Sequence, residues 1–176
     1  MPPSESIYLH NAISLLEKTP KLIETLLAGA SEVAVSWKPA PDRWSIAEVL
    51  AHLSEVEAVF GGRVQRIVGE ECPALENFDP PKGYPDANSA RGQAEELVAG
   101  FADARSGTIA FLAMLPPTVG ERTALHPEVG SITLSEFLNH WAVHDLGHLR
   151  QIAELYRARE FHPHAGPFRK YSNLKP

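Results

Sequence analysis

Two histidines stand four residues apart in the stretch His144-Asp145-Leu146-Gly147-His148. On an α-helix that spacing stacks both imidazoles on one face, one turn apart. Two ring nitrogens placed in this way can reach a single divalent metal ion. Histidines are also common on solvated helix faces, so the pair gains meaning only from what surrounds it. Three other residues bear on the same question: His52, and the acids Glu57 and Asp145, which fall at positions where an apolar side chain is the rule.

Four amphipathic segments must position these groups. The first runs from about Ser6 to Ala28, with Ile13, Leu16, Ile23 and Leu27 in helical register and a kink or break expected at Pro20. Residues 29–44 read as a connection. The second helix starts at Ser45-Ile46-Ala47-Glu48, a capping box, with Trp44 placed to staple against Val49. Its apolar residues recur at Val49, Leu53, Val56, Phe60, Val64 and Ile67. Residues 70–88 hold four prolines and read as a loop. A third helix is expected from about Ser89 to Met114, ended by Pro116 and Pro117. The fourth opens on a second capping box, Thr133-Leu134-Ser135-Glu136, and runs to about Glu160, with Ile132 and Phe137 as its staple pair. The run Gly120 to Gly130 has the length for a strand pair, but the expectation there is a connection. Four such helices predict an all-α four-helix bundle. Its two long connections predict that at least one crosses the bundle end to end.

Helical angles of about 100° per residue sort the polar side chains. On the fourth helix, Phe137, Trp141, Leu149, Ile152 and Leu155 centre the apolar face. His144 and His148 lie just beside that centre, about 40° apart, and His140 is displaced to the flank. Asp145 falls on the apolar face itself, where a carboxylate needs a histidine or an arginine as partner. On the second helix His52 flanks the stripe beside Val49 and Val56, Glu57 lies near its middle, and Arg63 lies on the His52 side. Each residue alone has a plain reading as a solvated edge residue. Taken together, His52, His144 and His148 with two inward acids are read more simply as a metal site, which bundle cores build from facing helices.

The totals set limits. The chain has 176 residues, 44% hydrophobic and 22% charged, which suits one domain over residues 1–176 with an irregular tail from about 161. A net charge of -6 opposes a phosphate backbone, so no nucleic-acid partner is expected. No apolar run approaches the roughly 20 residues of a membrane span, so no membrane partner is expected either. Met1-Pro2-Pro3-Ser4-Glu5 lacks the basic-then-apolar order of a secretory signal, and the single cysteine, Cys72, suits a reducing compartment; a cytoplasmic location is expected.

Three segments resemble the DinB-like family, the damage-inducible superfamily that includes bacillithiol transferases and the mycothiol-dependent maleylpyruvate isomerase domain. One is Trp44-Ser45-Ile46-Ala47-Glu48-Val49-Leu50-Ala51-His52-Leu53; another is the pair Glu57 and Arg63; the strongest is His144-Asp145-Leu146-Gly147-His148-Leu149-Arg150-Gln151-Ile152. The resemblance implies a bundle with a long crossover between its second and third helices. It maps the family's three metal-binding histidines onto His52, His144 and His148. Asp145, Glu57 and His140 are left around those ligands, and Arg63 is the candidate to contact an anionic thiol cofactor.

Three neutral imidazoles suit zinc, nickel or iron, and three protein ligands leave positions open for water or substrate. A low-molecular-weight thiol bound there would lose its proton and could attack an electrophile, so the resemblance points to a metal-dependent thiol S-transferase with a small thiol and an electrophile as partners. Two other readings stand beside it: a metal-dependent hydrolase, with metal-bound hydroxide as nucleophile, and a non-enzymatic metal-binding stress protein. A homodimer is the expected assembly.

Overall fold

The computed structural model of the protein describes residues 5–78 and 94–172. Its long helices are α1 (Glu5–Leu27), α3 (Ile46–Gly69), α4 (Ala94–Ala113) and α5 (Leu134–Tyr156), with a short α2 (Glu32–Ser36) inside the connection from α1 to α3. A two-stranded antiparallel hairpin, β1 (Thr123–His126) and β2 (Gly130–Thr133), precedes α5. Among the described residues no helix is long and apolar enough to cross a membrane.

Both capping boxes form. The Ser45 hydroxyl accepts from the Glu48 amide while the Glu48 carboxylate accepts from the Ser45 amide, and Thr133 and Glu136 repeat the exchange at α5. Each box satisfies two helix-end donors and so fixes where the helix starts. For α3 that places His52 two turns inside the helix. For α5 it places His144 and His148 in the third and fourth turns.

Two core clusters reveal the directions of the helices. One gathers Leu9 and Leu16 from the start of α1, Val64 and Ile67 from the end of α3, Leu112 from the end of α4, and Leu134 and Trp141 from the start of α5. The other gathers Ile23 and Leu27, Ile46 and Leu50, Val98 and Phe101, Ile152 and Leu155. Thus α1 and α5 run one way, and α3 and α4 the other. Around the bundle the packed neighbours are α1 with α4, α4 with α3, α3 with α5 and α5 with α1. The adjacent helices α3 and α4 are parallel, so the chain between Gly69 and Ala94 has to return along the bundle. This is the crossover expected between the second and third long helices. The predicted start of the third helix, residues 89–93, and part of the predicted loop, residues 79–88, lie outside the described residues.

Two expectations are corrected. The stretch Gly120 to Gly130 is not a plain connection, because it supplies β1 and the turn into β2. Gly130, at φ 80, provides the left-handed residue that a three-residue hairpin loop uses. The hairpin is local in sequence but is held by remote partners. Arg122 donates to the Ile67 carbonyl at 2.7 Å and to the Glu70 carbonyl, and the Leu134 amide donates to the Arg122 carbonyl at 2.8 Å. The end of α3 is thereby tied to the start of α5.

The second correction is at Pro20, which does not break the first helix: α1 continues through it. Proline removes the amide that would bond the carbonyl four residues back, here that of Leu16. Arg105 of α4 donates to the Leu16 carbonyl at 2.7 Å in its place. The orphaned acceptor is satisfied by tertiary structure, and the helix carries on.

Candidate metal centre

α3 and α5 pack as antiparallel neighbours, and their capped starts bring His52 opposite His144 and His148. The three side chains converge through Nε2. His52 Nε2 lies 3.3 Å from His144 Nε2, and His148 Nε2 lies 3.2 Å from it. One ligand atom from each residue falls within 4.8 Å of the other two. A tetrahedral ion with metal–nitrogen bonds of about 2.0–2.1 Å requires ligand nitrogens about 3.3–3.4 Å apart. The two spacings to His144, 3.3 and 3.2 Å, are those of ligand nitrogens at corners of such a tetrahedron, and the third pair lies within 4.8 Å.

The chemistry of the donor set agrees. The Nδ1–H of His148 donates to Gln151 Oε1 at 2.9 Å, which turns the Nε2 lone pair of that ring inward. Three imidazoles with lone pairs aimed at one point repel one another unless a cation lies between them. Burial, followed by the charges of His148 and His144, holds the His52 pKa down to about 4. Burial and His144 also lower His148, against the opposing effects of Gln151 and Asp145. Both rings are therefore neutral near pH 7 and ready to ligate.

This gives a titration test for the metal-free protein. The His52 imidazole is expected to protonate near pH 4 rather than at the ordinary 6.5, followed by its ring-carbon NMR signals. The shift is downward, so the folded state binds fewer protons than the unfolded chain between those values. The stability contributed by neutral His52 is present above about 6.5 and is lost as the pH falls through about 4. A midpoint near 6.5 would mean that the cluster is not packed as described.

Aromatic rings wall the cluster. Trp44, the residue before the α3 cap, packs edge-on against His52 with centroids 5.1 Å apart and lies parallel to His148 at 6.4 Å. Phe60, two turns beyond His52, has its ring 5.8 Å from that of His144. The tryptophan that the sequence assigns to a helix staple therefore also faces two of the three histidines.

The remaining site candidates fall into two groups. Asp145 and Glu57 are buried, and both meet Arg105, a residue the sequence reading passed over. Arg105 Nε donates to Glu57 Oε2 at 2.5 Å and Nη1 to Asp145 Oδ2 at 2.8 Å; Thr108 donates to Glu57 Oε1 at 2.6 Å. The guanidinium also lies 4.9 Å from the ring centres of both Phe101 and Trp141. Burial alone would raise the Asp145 pKa; His144, Arg105 and Thr19 outweigh it and hold the carboxyl low. Asp145 Oδ1 is 3.9 Å from His144 Nδ1, beyond hydrogen-bond reach but close enough for its charge to be felt. The Asp145 carboxylate, held low, places negative charge beside His144, complementary to a cation held there.

His140 and Arg63 form the second group, away from the convergent nitrogens. His140 is exposed, with its ring 6.1 Å from Phe60. Arg63 is half-buried, donates to the Glu76 carbonyl at 2.6 Å, and sits 5.5 Å over the Phe60 ring. A separate recess of about 910 Å³ opens between α1 and α4, lined by Glu17, Glu24, Val98, Ala102 and Ile109 among others. It lies on the face opposite α3 and α5, away from the histidine cluster.

A fold of this topology with three histidines at these positions defines a class. The profile of the DinB superfamily matches residues 15–152, and the chain belongs to that superfamily. A relative from Oceanobacillus iheyensis, whose name places it provisionally among metal-dependent hydrolases, is 22% identical over 156 residues, covering 89% of this chain and 90% of the relative. The YfiT structure from Bacillus subtilis, described as a probable metal-dependent hydrolase with an unusual four-helix bundle topology, superposes with a TM-score of 0.75 at 21% identity. The match covers 85% of this chain and 86% of that one. At that identity the likeness establishes the fold.

Proposed function

We propose that this protein is a metal-dependent enzyme that binds one divalent ion through His52, His144 and His148 and joins a low-molecular-weight thiol to an electrophilic substrate. The observation that carries the reading is the convergence of three imidazoles, with the His52 and His148 Nε2 atoms 3.3 and 3.2 Å from that of His144. Zinc and nickel suit three neutral imidazoles, as does ferrous iron. A divalent ion with three protein ligands supplies Lewis acidity and open positions at which a small molecule binds.

The chain's own residues supply the rest. Gln151 fixes the tautomer and tilt of His148. Trp44 and Phe60 wall the cluster and lower the local dielectric, which strengthens any charge interaction inside. Arg105, through Asp145, holds the α5 turn that bears His144 and His148. The protein's single thiol, Cys72, is exposed in the loop after α3, more than four turns from His52, so the attacking group must arrive with the substrate. That group is a thiol in the first reading.

The second reading is metal-dependent hydrolysis, with water in place of the thiol. The descriptions of the Oceanobacillus relative and of YfiT favour it. One assay separates the two. Metal-loaded protein is incubated with a model alkyl halide or epoxide, with and without bacillithiol, mycothiol or glutathione, and in parallel with ester and amide substrates in water alone. Consumption of the electrophile that requires a thiol, and is abolished by chelation, is the expected result. Thiol-independent turnover assigns the protein to the hydrolases. A saturated metal site with no turnover in either arm removes both readings in favour of a binding role.

A further inference from the structure

The α3/α5 face carries a second polar group beyond the three-histidine cluster, with Phe60 as the link between them. His144 of the cluster packs 5.8 Å from the Phe60 ring, and on the same ring sit His140 at 6.1 Å and the Arg63 guanidinium at 5.5 Å. Arg63 is half-buried, yet its hydrogen bond goes to a neutral acceptor, the Glu76 carbonyl. Arg66, Arg105 and Arg157 each meet a carboxylate, whereas among the described residues Arg63 meets none. Burial first, and then its basic neighbours, Arg63 among them, lower the His140 pKa. Arg63 and His140 thus share the Phe60 ring, and among the described residues no carboxylate pairs with the guanidinium.

A guanidinium drawn partly out of water without a counter-charge is unfavourable. An anion from outside offsets that cost. The planar fork of arginine, which among the described residues gives one donor to Glu76, matches a carboxylate. We propose that Arg63 and His140 form an anion subsite flanking the three-histidine cluster and bind the carboxylate of a substrate or thiol whose reacting end lies at that cluster. The second half of this assignment rests on reading the cluster as a metal centre; the first half does not.

The test uses phenylacetate and its neutral counterpart phenylacetamide, titrated by calorimetry into metal-free and zinc-loaded protein, with His140 ring signals followed by NMR. Wild-type protein is expected to bind the acid about ten-fold more tightly than the amide, the size of one charge-assisted hydrogen bond at a half-exposed site. The acid should shift the His140 signals. In Arg63→Gln the preference is expected to fall to within about two-fold, and Arg63→Lys should retain part of it. His140→Gln, at an exposed position, should weaken acid binding alone and serves as the second variant if Arg63→Gln does not fold. Equal binding of acid and amide by the wild type, or a preference that survives Arg63→Gln, overturns the subsite. Zinc uptake by the same samples is a separate readout. Protein that takes up no ion but prefers the acid loses the metal reading and keeps the subsite. Protein that takes up zinc without an acid preference keeps the metal reading and loses the subsite.

Discussion

His148→Ala is expected to lower affinity for a divalent ion by more than about 100-fold while leaving the bundle folded. Loss of a residue that merely orients a ligand costs about 10- to 100-fold, and removing the ligand itself costs more. Stability should survive because His148 is only half-buried and alanine is the better helix former at a mid-helix position. The metal-free variant should in fact match or slightly exceed the wild type, since the His148 Nε2 crowded to 3.2 Å from that of His144 is gone. Added zinc stabilises the folded state in proportion to occupancy, so it should raise the wild-type Tm and leave that of the variant unmoved. His144→Ala should behave in the same way, whereas His140→Ala should keep metal affinity. Thermal unfolding with and without zinc, together with metal analysis after gel filtration, checks all three. Stoichiometric zinc in His148→Ala would place the ion elsewhere.

The parts of this site that were legible beforehand are those written in local sequence. Ser45 with Glu48 and Thr133 with Glu136 are three residues apart, so their caps are readable without knowing the fold, and they set the phase of both ligand helices. His144 and His148 share a face by spacing alone. Gln151, three residues after His148, offered a readable signal for the hydrogen bond it makes. What escaped was long-range. Arg105 sits in the register Val98, Phe101, Arg105, Leu112, an arginine in an otherwise apolar stripe. Set against the two inward acids Glu57 and Asp145, that position was a signal of a buried ion network. Pro20 predicted a kink or a break because its local chemistry removes a helix bond, and the break does not occur. The donor that repairs α1 lies 89 residues from the carbonyl it serves, and no window of sequence contains both. The hairpin was missed for a related reason: its anchor is Arg122 bonding carbonyls at the end of α3, not its own strand propensity.

Arg105→Met is expected to destabilise the protein by about 3–5 kcal/mol, the cost of breaking a buried ion network by removing one partner. The guanidinium touches every long helix: the Leu16 carbonyl of α1, Glu57 of α3, its own α4, and Asp145 of α5. Methionine fills much of the volume between Phe101 and Trp141, so little of the loss comes from a cavity. Most comes from two carboxylates left in the core and from the Leu16 carbonyl, unbonded again opposite Pro20. Against a typical total of about 5–15 kcal/mol, this brings the domain close to unfolding. The pH dependence identifies the cause. In the native protein the Asp145 carboxyl is held low, so the stability it contributes is present above its unfolded pKa and is lost as the pH falls. Without Arg105, burial is opposed only by His144 and Thr19, so that pKa rises; protonation then costs the variant less than the native protein, and its deficit shrinks toward acid. Urea unfolding at about pH 8 and about pH 5 should show the larger gap at the higher pH. Arg105→Lys, which keeps the charge but not the fork, should fall between the two proteins and covers the case in which Arg105→Met cannot be purified folded. Because Asp145 lies between His144 and His148 on α5, folded Arg105→Lys should also bind zinc more weakly than the wild type. A deficit below about 1 kcal/mol, or one that is constant with pH, would show that the four helices do not depend on this network.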